Sequence, residues 1–213
     1  MYMDNYNMIY NGITSRSQNL FFYDYPVFTY APDREETVSI QGRNGDLLTG
    51  DKAHGNLEIT CTFGLLIPMK RDWDTALRMC KKWLRSEGDG RLTVSCNEEY
   101  YYLVRKAVVQ EVSREIGRFG TISVTFYCYP YEYAVGGDIP VEHPTSIYNA
   151  YGESHPVYEI AGEGMCTLKV NGKTLSANVG QNLVINTELQ IAYRQDGGEN
   201  NTAIIGDYED LYL

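Results

Sequence analysis

The stretch "TISVTFYCYPYEYAVGG", residues 121–137, decides the fold because its first half alternates apolar and polar side chains. This period of two is typical of a β-strand with one buried face, and it predicts a single strand through Cys128. The face that we expect to enter the core carries Ile122, Val124, Phe126 and Cys128. The opposite face carries small hydroxyl side chains and then tyrosines, and the function of this surface depends on what these tyrosines contact.

Four tyrosines of this stretch occupy alternate positions, at Tyr127, Tyr129, Tyr131 and Tyr133. The chain has 19 tyrosines in 213 residues, more than a core needs, since each buried hydroxyl requires a hydrogen-bond partner. Tyrosine is enriched at protein interfaces. We therefore predict that the four form a subunit or domain interface, covered by a helix, a second domain or a neighbouring subunit. The alternative is that their own domain covers them, and a shift in alternation after Pro130 would change where Tyr131 and Tyr133 point.

Other strands lead up to this one. "NLEITCTFGLL" (56–66) alternates over its whole length, and "RLTVSC" (91–96) repeats the pattern with Cys96 at its end. The run from Tyr100 to Ser113 leads through "REIGRFG" into the quoted strand, which predicts a hairpin that turns near Gly117 to Gly120. We expect a mainly antiparallel sheet.

One helix interrupts the strands, in "RDWDTALRMCKKWLRSEGDG" (71–90). Asp72 is a suitable N-cap, and Gly88 and Gly90 end the pattern. Apolar side chains recur at helical spacing, at Trp73, Leu77, Cys80 and Leu84. Cations crowd the last turns: Arg78, Lys81, Lys82 and Arg85. We interpret them as a solvated face that complements the helix dipole, with contact to an acidic neighbour as the alternative.

The pattern changes after Gly136. Residues 136–156 contain several glycines and prolines and read as a linker between a first domain, 1–135, and a second, 157–213. The second part has short strands, two of which flank Asn171-Gly172, a strong hairpin signal because both residues tolerate positive φ. The prediction is a mainly β (α+β) protein: an antiparallel sandwich-like or barrel-like domain with one packed helix, then a small β-sandwich.

Charge is unevenly distributed between the two parts. The net charge is −10, of which residues 1–135 contribute −2 and residues 136–213 contribute −8. An acidic second part disfavours binding to phosphate backbones and anionic membranes. The N-terminus lacks the features of a signal peptide and no apolar run approaches a membrane span, so we expect synthesis and folding in the cytosol.

The cysteines and histidines predict neither a metal site nor disulfides. Neither residue type has zinc-site spacing, and no CxxC pair occurs. We expect the cysteines to be small buried hydrophobes in a reducing compartment. The residues concerned are Cys61, Cys80, Cys96, Cys128 and Cys166, with His54, His143 and His155.

Sequence motifs of catalysis are also missing. No GxSxG, phosphate-binding loop, dinucleotide fingerprint or HExxH occurs, and "GRNGD" (42–46) is better interpreted as a turn. The adjacent pairs Glu35-Glu36 and Glu98-Glu99 point to opposite faces of a strand, so neither can act as an acid-base pair. We predict a protein that is not an enzyme and that needs no cofactor.

The order of these blocks resembles the distal tail protein family of siphophages, also described as phage tail components. Two blocks lie in the first part, "IYNGITS" (9–15) and "APDREETVSIQGRNGDLL" (31–48). "KKWL" (81–84), "EEYYYLVRK" (98–106) and "FYCYPYEYA" (126–134) follow them. The specific features are the Gly-Arg-x-Gly turn and an F-x-C-x-P-x-x-Y end of the first domain.

That end is matched by Phe126, Cys128, Pro130 and Tyr133, and the match covers about residues 9–135. The second part is similar to the shorter form of the family, whose last domain is a galectin-like sandwich. Family members usually continue past "GDYEDLYL" (206–213) with a further hairpin. The resemblance therefore implies that the second domain closes through a longer chain, lacks its last strands or borrows them from a neighbour.

The resemblance implies a structural hub. Six copies would form a ring, as in a tail tube, that joins the tail tube to the tip or baseplate of a phage or prophage virion. First domains would line the ring, and DNA would pass through without specific binding. Partners would be the chain itself, the tail tube protein and the tip or baseplate proteins, with no membrane contact.

Two other functions remain open at this point. A carbohydrate-binding module for host-surface attachment would stack sugars on exposed aromatics, for which Tyr193, Tyr208 and Tyr212 are the candidates. A cell-wall hydrolase is disfavoured because no nucleophile, metal site or placed acid pair emerges.

Overall fold

The chain consists of two compact units, Met1–Pro140 and Val141–Leu213. The computed structural model describes residues 6–69, 72–85, 90–94, 97–142, 146–149, 152–196 and 201–213, with the backbone alone at 35, 50–52 and 97. We call the two units unit 1 and unit 2. The predicted bounds, with a linker over 136–156, stay a prediction.

Unit 1 is built from antiparallel strands and one α-helix. A 3₁₀ turn at Ser15–Gln18 separates its second and third strands. The strands are β1 (Met8–Tyr10), β2 (Ile13–Thr14), β3 (Leu20–Phe22), β4 (Val27–Thr29), β5 (Asp33–Val38), β6 (Leu47–His54), β7 (Leu57–Leu66), β8 (Gly90–Val94), β9 (Asn97–Ile116) and β10 (Phe119–Ala134), and the helix is α1 (Trp73–Leu84).

Eight of these strands form one sheet in the order β2-β1-β8-β9-β10-β7-β3, and β4 also pairs with β7. All of the pairings are antiparallel. The remaining two, β5 and β6, form a separate two-stranded sheet. The predicted fold class, mainly β with one packed helix, is confirmed.

The quoted stretch is the centre of the large sheet. Strand β10 pairs with β7 on one side and β9 on the other, so that Phe126 lies opposite Ile59 and Ala107. Ile122, Val124, Phe126 and Cys128 are completely buried, as the alternation predicted. The hairpin between β9 and β10 turns at 117–118, where the prediction placed it.

The strand is longer than the sequence predicted. It continues past Cys128 to Ala134, through Pro130. Cys128 pairs with Val104, and the next paired residues are Glu132 and Tyr102. Strand β10 therefore has two more residues than β9 in this interval, and they form a bulge. Because the excess is two residues, the alternation is restored by Tyr133, which pairs with Tyr101.

Helix α1 begins where its N-cap predicts. The Asp72 carboxylate accepts a hydrogen bond from the Thr75 backbone N–H at 2.8 Å, and this bond lowers the pKa of Asp72. The helix ends at Leu84, where the Arg85 N–H still donates to the Lys81 carbonyl. Gly88, expected to end it, lies outside the described residues, and Gly90 begins β8.

The buried face of α1 differs from the predicted stripe by about one residue. Cys80 and Leu84 are buried as expected, but the other two buried positions are Ala76 and Trp83. Trp73 and Leu77, which were expected to share this face, are only partly buried. The face is rotated because Trp83 enters the core and its indole N–H donates to the Tyr10 carbonyl at 3.1 Å.

Gly120 lies where no side chain fits. A β-carbon there would collide with the Ser113 carbonyl oxygen and the indole ring of Trp73. We therefore expect Gly120→Ala to lower the free energy of unfolding of unit 1 by about 1–3 kcal/mol, the usual cost of overpacking. Urea denaturation would measure this. Gly162→Ala is the control, since its nearest neighbour would be Cys166 Sγ at 3.6 Å, an ordinary contact.

The hairpin formed by β5 and β6 is a sheet of its own that is not hydrogen-bonded into the large sheet, and we call it the arm. Val38 pairs with Leu47 and Thr37 with Leu48 near its tip, and Asp33 pairs with His54 at its base. "GRNGD" forms the predicted turn between the strands, with both glycines at positive φ. No third strand joins the arm within the described part of the chain.

In the described part of unit 2, six short strands form two three-stranded antiparallel sheets, with orders β11-β14-β15 and β12-β13-β16. Its core combines Leu175, Leu183, Ile185 and Leu211. The strands are β11 (Val157–Gly162), β12 (Met165–Val170), β13 (Lys173–Asn178), β14 (Gln181–Asn186), β15 (Ile191–Tyr193) and β16 (Ile204–Ile205), followed by a 3₁₀ turn at Tyr208–Leu211.

The sequence predicted one of the hairpin turns of unit 2. Asn171 and Gly172 both have positive φ, 49° and 87°, and connect β12 to β13 as predicted. Both small sheets contribute to one core, which agrees with the predicted small β-sandwich. The galectin-like character stays a prediction.

Candidate interaction surface

The four tyrosines singled out in the sequence, Tyr127, Tyr129, Tyr131 and Tyr133, lie along the last half of β10, and we call them the tyrosine row. Each is half-buried. Tyr127 follows the strand face that does not enter the core, and a bulge between Cys128 and Glu132 separates it from Tyr133.

The first two tyrosines of the row face cations from the neighbouring strand. Lys106 Nζ lies 5.7 Å from the ring centre of Tyr127, and Arg105 Cζ lies 5.2 Å from that of Tyr129. Cation–π contacts at such distances contribute about 0.5–1 kcal/mol at exposed sites. Arg105 can reach the row because β9 has a bulge between Lys106 and Val104.

The last two tyrosines contact other rings. Tyr131 meets the His54 ring edge-on at 6.3 Å between centres, and Tyr133 stacks on Tyr101 at 5.6 Å. Arg91 lies 4.7 Å above the Tyr101 ring. The row is therefore partly covered by its own unit, which was the alternative left open by the sequence.

The helix does not cover the start of the tyrosine row. Ala107 and Val109 of β9 pair with Phe126 and Val124, and they pack on the same side as α1. Tyr127 alternates with Phe126 and points to the other side. Of the three predicted covers, α1 therefore lies on the other side of the sheet from Tyr127, and cover by a neighbouring subunit or the second unit stays a prediction.

The described cysteines behave as buried hydrophobes. Cys61, Cys80 and Cys128 are buried and not disulfide-bonded, and Cys166 is half-buried and also free. Burial raises the pKa of Cys80 to about 11 and that of Cys128 to about 12, and it raises the pKa of Cys61 too. Cys96 and His143 lie outside the described residues.

These thiols predict a labelling pattern. Because only the thiolate reacts, and a raised pKa lowers its fraction at pH 8, we expect iodoacetamide to modify Cys61, Cys80 and Cys128 at least about 100-fold more slowly than Cys166. Mass spectrometry of tryptic peptides would measure the rates. The difference should vanish in 6 M guanidinium chloride, and fast labelling of Cys80 in the native protein would contradict the burial.

The acidic pairs named in the sequence, and side chains of the kinds that bind metals, can be located among the described residues. No group of three or more His, Cys, Asp and Glu side chains in this part of the chain is placed to hold a metal ion. Glu98 and Glu99 are exposed neighbours on β9, and Glu36 is exposed on the arm, whereas the side chain of Glu35 lies outside the description. Among the helices described, none is long and apolar enough to cross a membrane.

A hollow lies beside the end of α1, and we call it the helix hollow. Leu84, Ala107 and Val109 are its apolar lining, with Lys81 and Arg85 as its charged residues. Its volume is about 230 Å³. Ligand pockets usually have about 300–1,000 Å³, so the helix hollow is better suited to a few protein side chains.

The three tyrosines proposed for sugar stacking, Tyr193, Tyr208 and Tyr212, have different surroundings. Tyr212 stacks on His155 with ring centres 4.2 Å apart, which occupies one of its faces. Tyr208 packs against the core of unit 2, where burial raises its pKa, and Tyr193 is half-buried in β15. Sugar binding stays an untested prediction.

Comparison with known proteins identifies the fold. No protein-family model matches the sequence, and no curated protein matches it. Among solved structures the chain is similar to SPP1 Dit (gp 19.1), a paradigm of the hub adsorption apparatus in Gram-positive infecting phages. The TM-score is 0.58 at 12% sequence identity, and the match covers 93% of both chains. The chain therefore has a fold like that of a phage tail hub protein, which agrees in part with the resemblance found in the sequence.

Proposed function

We propose that this chain is a structural protein of a phage tail, a hub subunit that assembles into a ring of six between the tail tube and the tip or baseplate. The observation that carries the proposal is the fold, which matches SPP1 Dit over 93% of each chain. The ring leaves a channel for DNA. The protein is made in the cytoplasm of the bacterial host and ends in the virion.

The tyrosine row supports self-assembly. Half-buried tyrosines held by Lys106, Arg105 and Tyr101 are positioned before any partner arrives, so a partner loses little side-chain entropy on docking. A ring needs two different surfaces on each subunit, one for each neighbour. The tyrosine row is our proposal for one of them.

Charge agrees with a DNA conduit. Residues 1–135 have a net charge of −2, so a channel lined by them would not hold phosphates through excess cations. The tail tube protein and the tip or baseplate proteins are the proposed neighbours along the tail axis.

Light scattering coupled to size-exclusion chromatography tests the ring. We expect a particle with six times the 24.2 kDa mass of one chain, at high protein concentration or with the adjoining tail proteins present. Negative-stain images should show a six-fold ring with a central opening. A monomer at every concentration, alone and with a tail tube protein, would argue against the hub.

Variants of the tyrosine row test its share in the interface. Tyr127→Ser with Tyr129→Ser should raise the concentration of half-assembly by about tenfold or more, because interface tyrosines are often energetic hot spots. Tyr148→Ser is the control, since Tyr148 is 91% exposed. Thermal denaturation should show that the double variant stays folded at the assay temperature. Unchanged assembly would remove the row from the interface.

Carbohydrate binding remains the alternative function. It predicts that unit 2 binds host-surface glycans, and a glycan array with the folded chain tests it. A glycan that binds the wild-type chain but not Tyr193→Ala would support the alternative. An array without hits would remove carbohydrate binding as a candidate function.

A further inference from the structure

The arm exposes an apolar face to solvent. Val38 and Leu47 pair directly and so share one face, and the period of two places Glu36 on the same side. Val38 is 48% exposed and Leu47 is 37% exposed. We call these three residues the arm face.

An isolated two-stranded hairpin is marginally stable in water, because neither face of it is buried. The arm pairs with no other strand in the part of the chain that the structure describes. Its apolar side chains therefore gain most from contact with another surface. Packing them would both remove apolar area from water and fix the ribbon.

The helix hollow offers a surface of matching chemistry. Its apolar lining is formed by Leu84, Ala107 and Val109. Within one copy the hollow is open and the arm face is exposed, so the arm does not fill the hollow of its own chain. Lys81 and Arg85 are exposed beside this lining. Within the described residues neither cation makes an ion pair.

We propose that the arm face of one copy packs into the helix hollow of a second copy. Leu47 and Val38 would meet the apolar lining, and the Glu36 carboxylate would lie beside Lys81 and Arg85. The charges are complementary, and the volume of about 230 Å³ suits a few side chains. This inference rests on the proposed self-assembly and names one of its contacts.

The geometry of such a contact is head-to-tail. The arm face and the helix hollow are different surfaces, so each copy would offer one to each neighbour. Contacts of this kind generate closed rings when the rotation between copies closes. The sequence analysis left open that the cations at the end of α1 contact an acidic neighbour. In this arrangement the neighbour would be Glu36 of the adjoining copy, and the cations would still interact with the helix dipole.

Adjacent leucines on opposite faces of the arm provide a matched test. Leu47→Asp should raise the protein concentration of half-assembly, measured by light scattering, by about tenfold or more. Leu48→Asp is the control, because Leu48 pairs with Thr37 on the other face and is 60% exposed. It should change the half-assembly concentration by less than about threefold. Circular dichroism should show both variants folded, since both side chains are partly exposed.

A charge exchange identifies the partner surface. Lys81→Glu with Arg85→Glu should weaken assembly by about tenfold, and adding Glu36→Lys should restore at least half of that loss on a logarithmic scale. Lys82→Glu is the control, because Lys82 is exposed on the same helix but does not line the hollow. Restoration is expected only if arm and hollow meet.

The outcomes separate this inference from the hub proposal. A ring that forms equally well with Leu47→Asp would overturn the arm contact and leave the ring in place. Equal losses for Leu47→Asp and Leu48→Asp, or no rescue by Glu36→Lys, would also overturn it. A wild-type chain that is monomeric under all conditions, including with a tail tube protein, would overturn both.

Discussion

Trp83→Ala is expected to destabilise unit 1 by about 3–5 kcal/mol, the usual range for removing a buried tryptophan. The indole is only 8% exposed and lies edge-on to Tyr10 with 6.0 Å between ring centres. Tyr10 in turn packs against Phe126 at 5.5 Å. Loss of Trp83 therefore leaves a cavity between α1, β1 and β10. Urea denaturation followed by circular dichroism would measure the change.

Trp83→Phe separates the two contributions of this side chain. It keeps an aromatic ring in the core but removes the N–H that bonds the Tyr10 carbonyl. We expect a loss of about 1–2 kcal/mol, because this hydrogen bond is lost and the ring is smaller. If Trp83→Ala costs no more than Trp83→Phe, the indole does not fill the core in the way described.

Ile185→Ala is expected to destabilise unit 2 by about 2–5 kcal/mol. Ile185 is completely buried in β14, the central strand of its sheet, and pairs with Tyr158 on one side and Ala192 on the other. The core of unit 2 has few large side chains, so neighbouring residues cannot easily fill the cavity. Calorimetry would measure the lowered transition temperature.

The two substitutions together test the division into units. The core of unit 1 and the core of unit 2 share no described residue. We expect Ile185→Ala to lower the transition assigned to unit 2, and Trp83→Ala that of unit 1, by more than either shifts the other. Leu189→Ala is a control for unit 2, since this side chain is 62% exposed. A single transition that both variants lower equally would contradict independent cores.

Strand faces and caps were predictable because they depend on neighbours close in sequence. The period of two located the buried faces of β7 and β10, and Asp72 and Asn171-Gly172 have the local geometry that their side chains favour. The exact buried face of α1 was not predictable, because a helical stripe through Cys80 and Leu84 can include either Trp73 or Trp83. Which tryptophan enters the core depends on Tyr10, which lies 73 residues away in the chain.

The surroundings of the tyrosine row depended on register between distant strands. Sequence spacing placed the four tyrosines on β10, but only the bulges in β9 and β10 bring Arg105 to Tyr129 and Tyr101 to Tyr133. A bulge changes pairing by one or two residues, and although Pro130 signals an irregularity in β10, the sequence around Arg105 carries no such signal for β9. The helix hollow was likewise not predictable, since its lining comes from two elements.

The pairing of β1 with β8 has a consequence for synthesis. Met8 lies opposite Val94, so β1 can at first pair only with the short strand β2 and waits for β8 until about 85 more residues have left the ribosome. At translation rates of about 5–20 residues per second, the wait is roughly 4–17 seconds. The hairpin of β9 and β10, by contrast, can close as soon as it emerges. We therefore expect nascent chains to expose Met8 and Tyr10 to chaperones, and this strand to be among the last to dock.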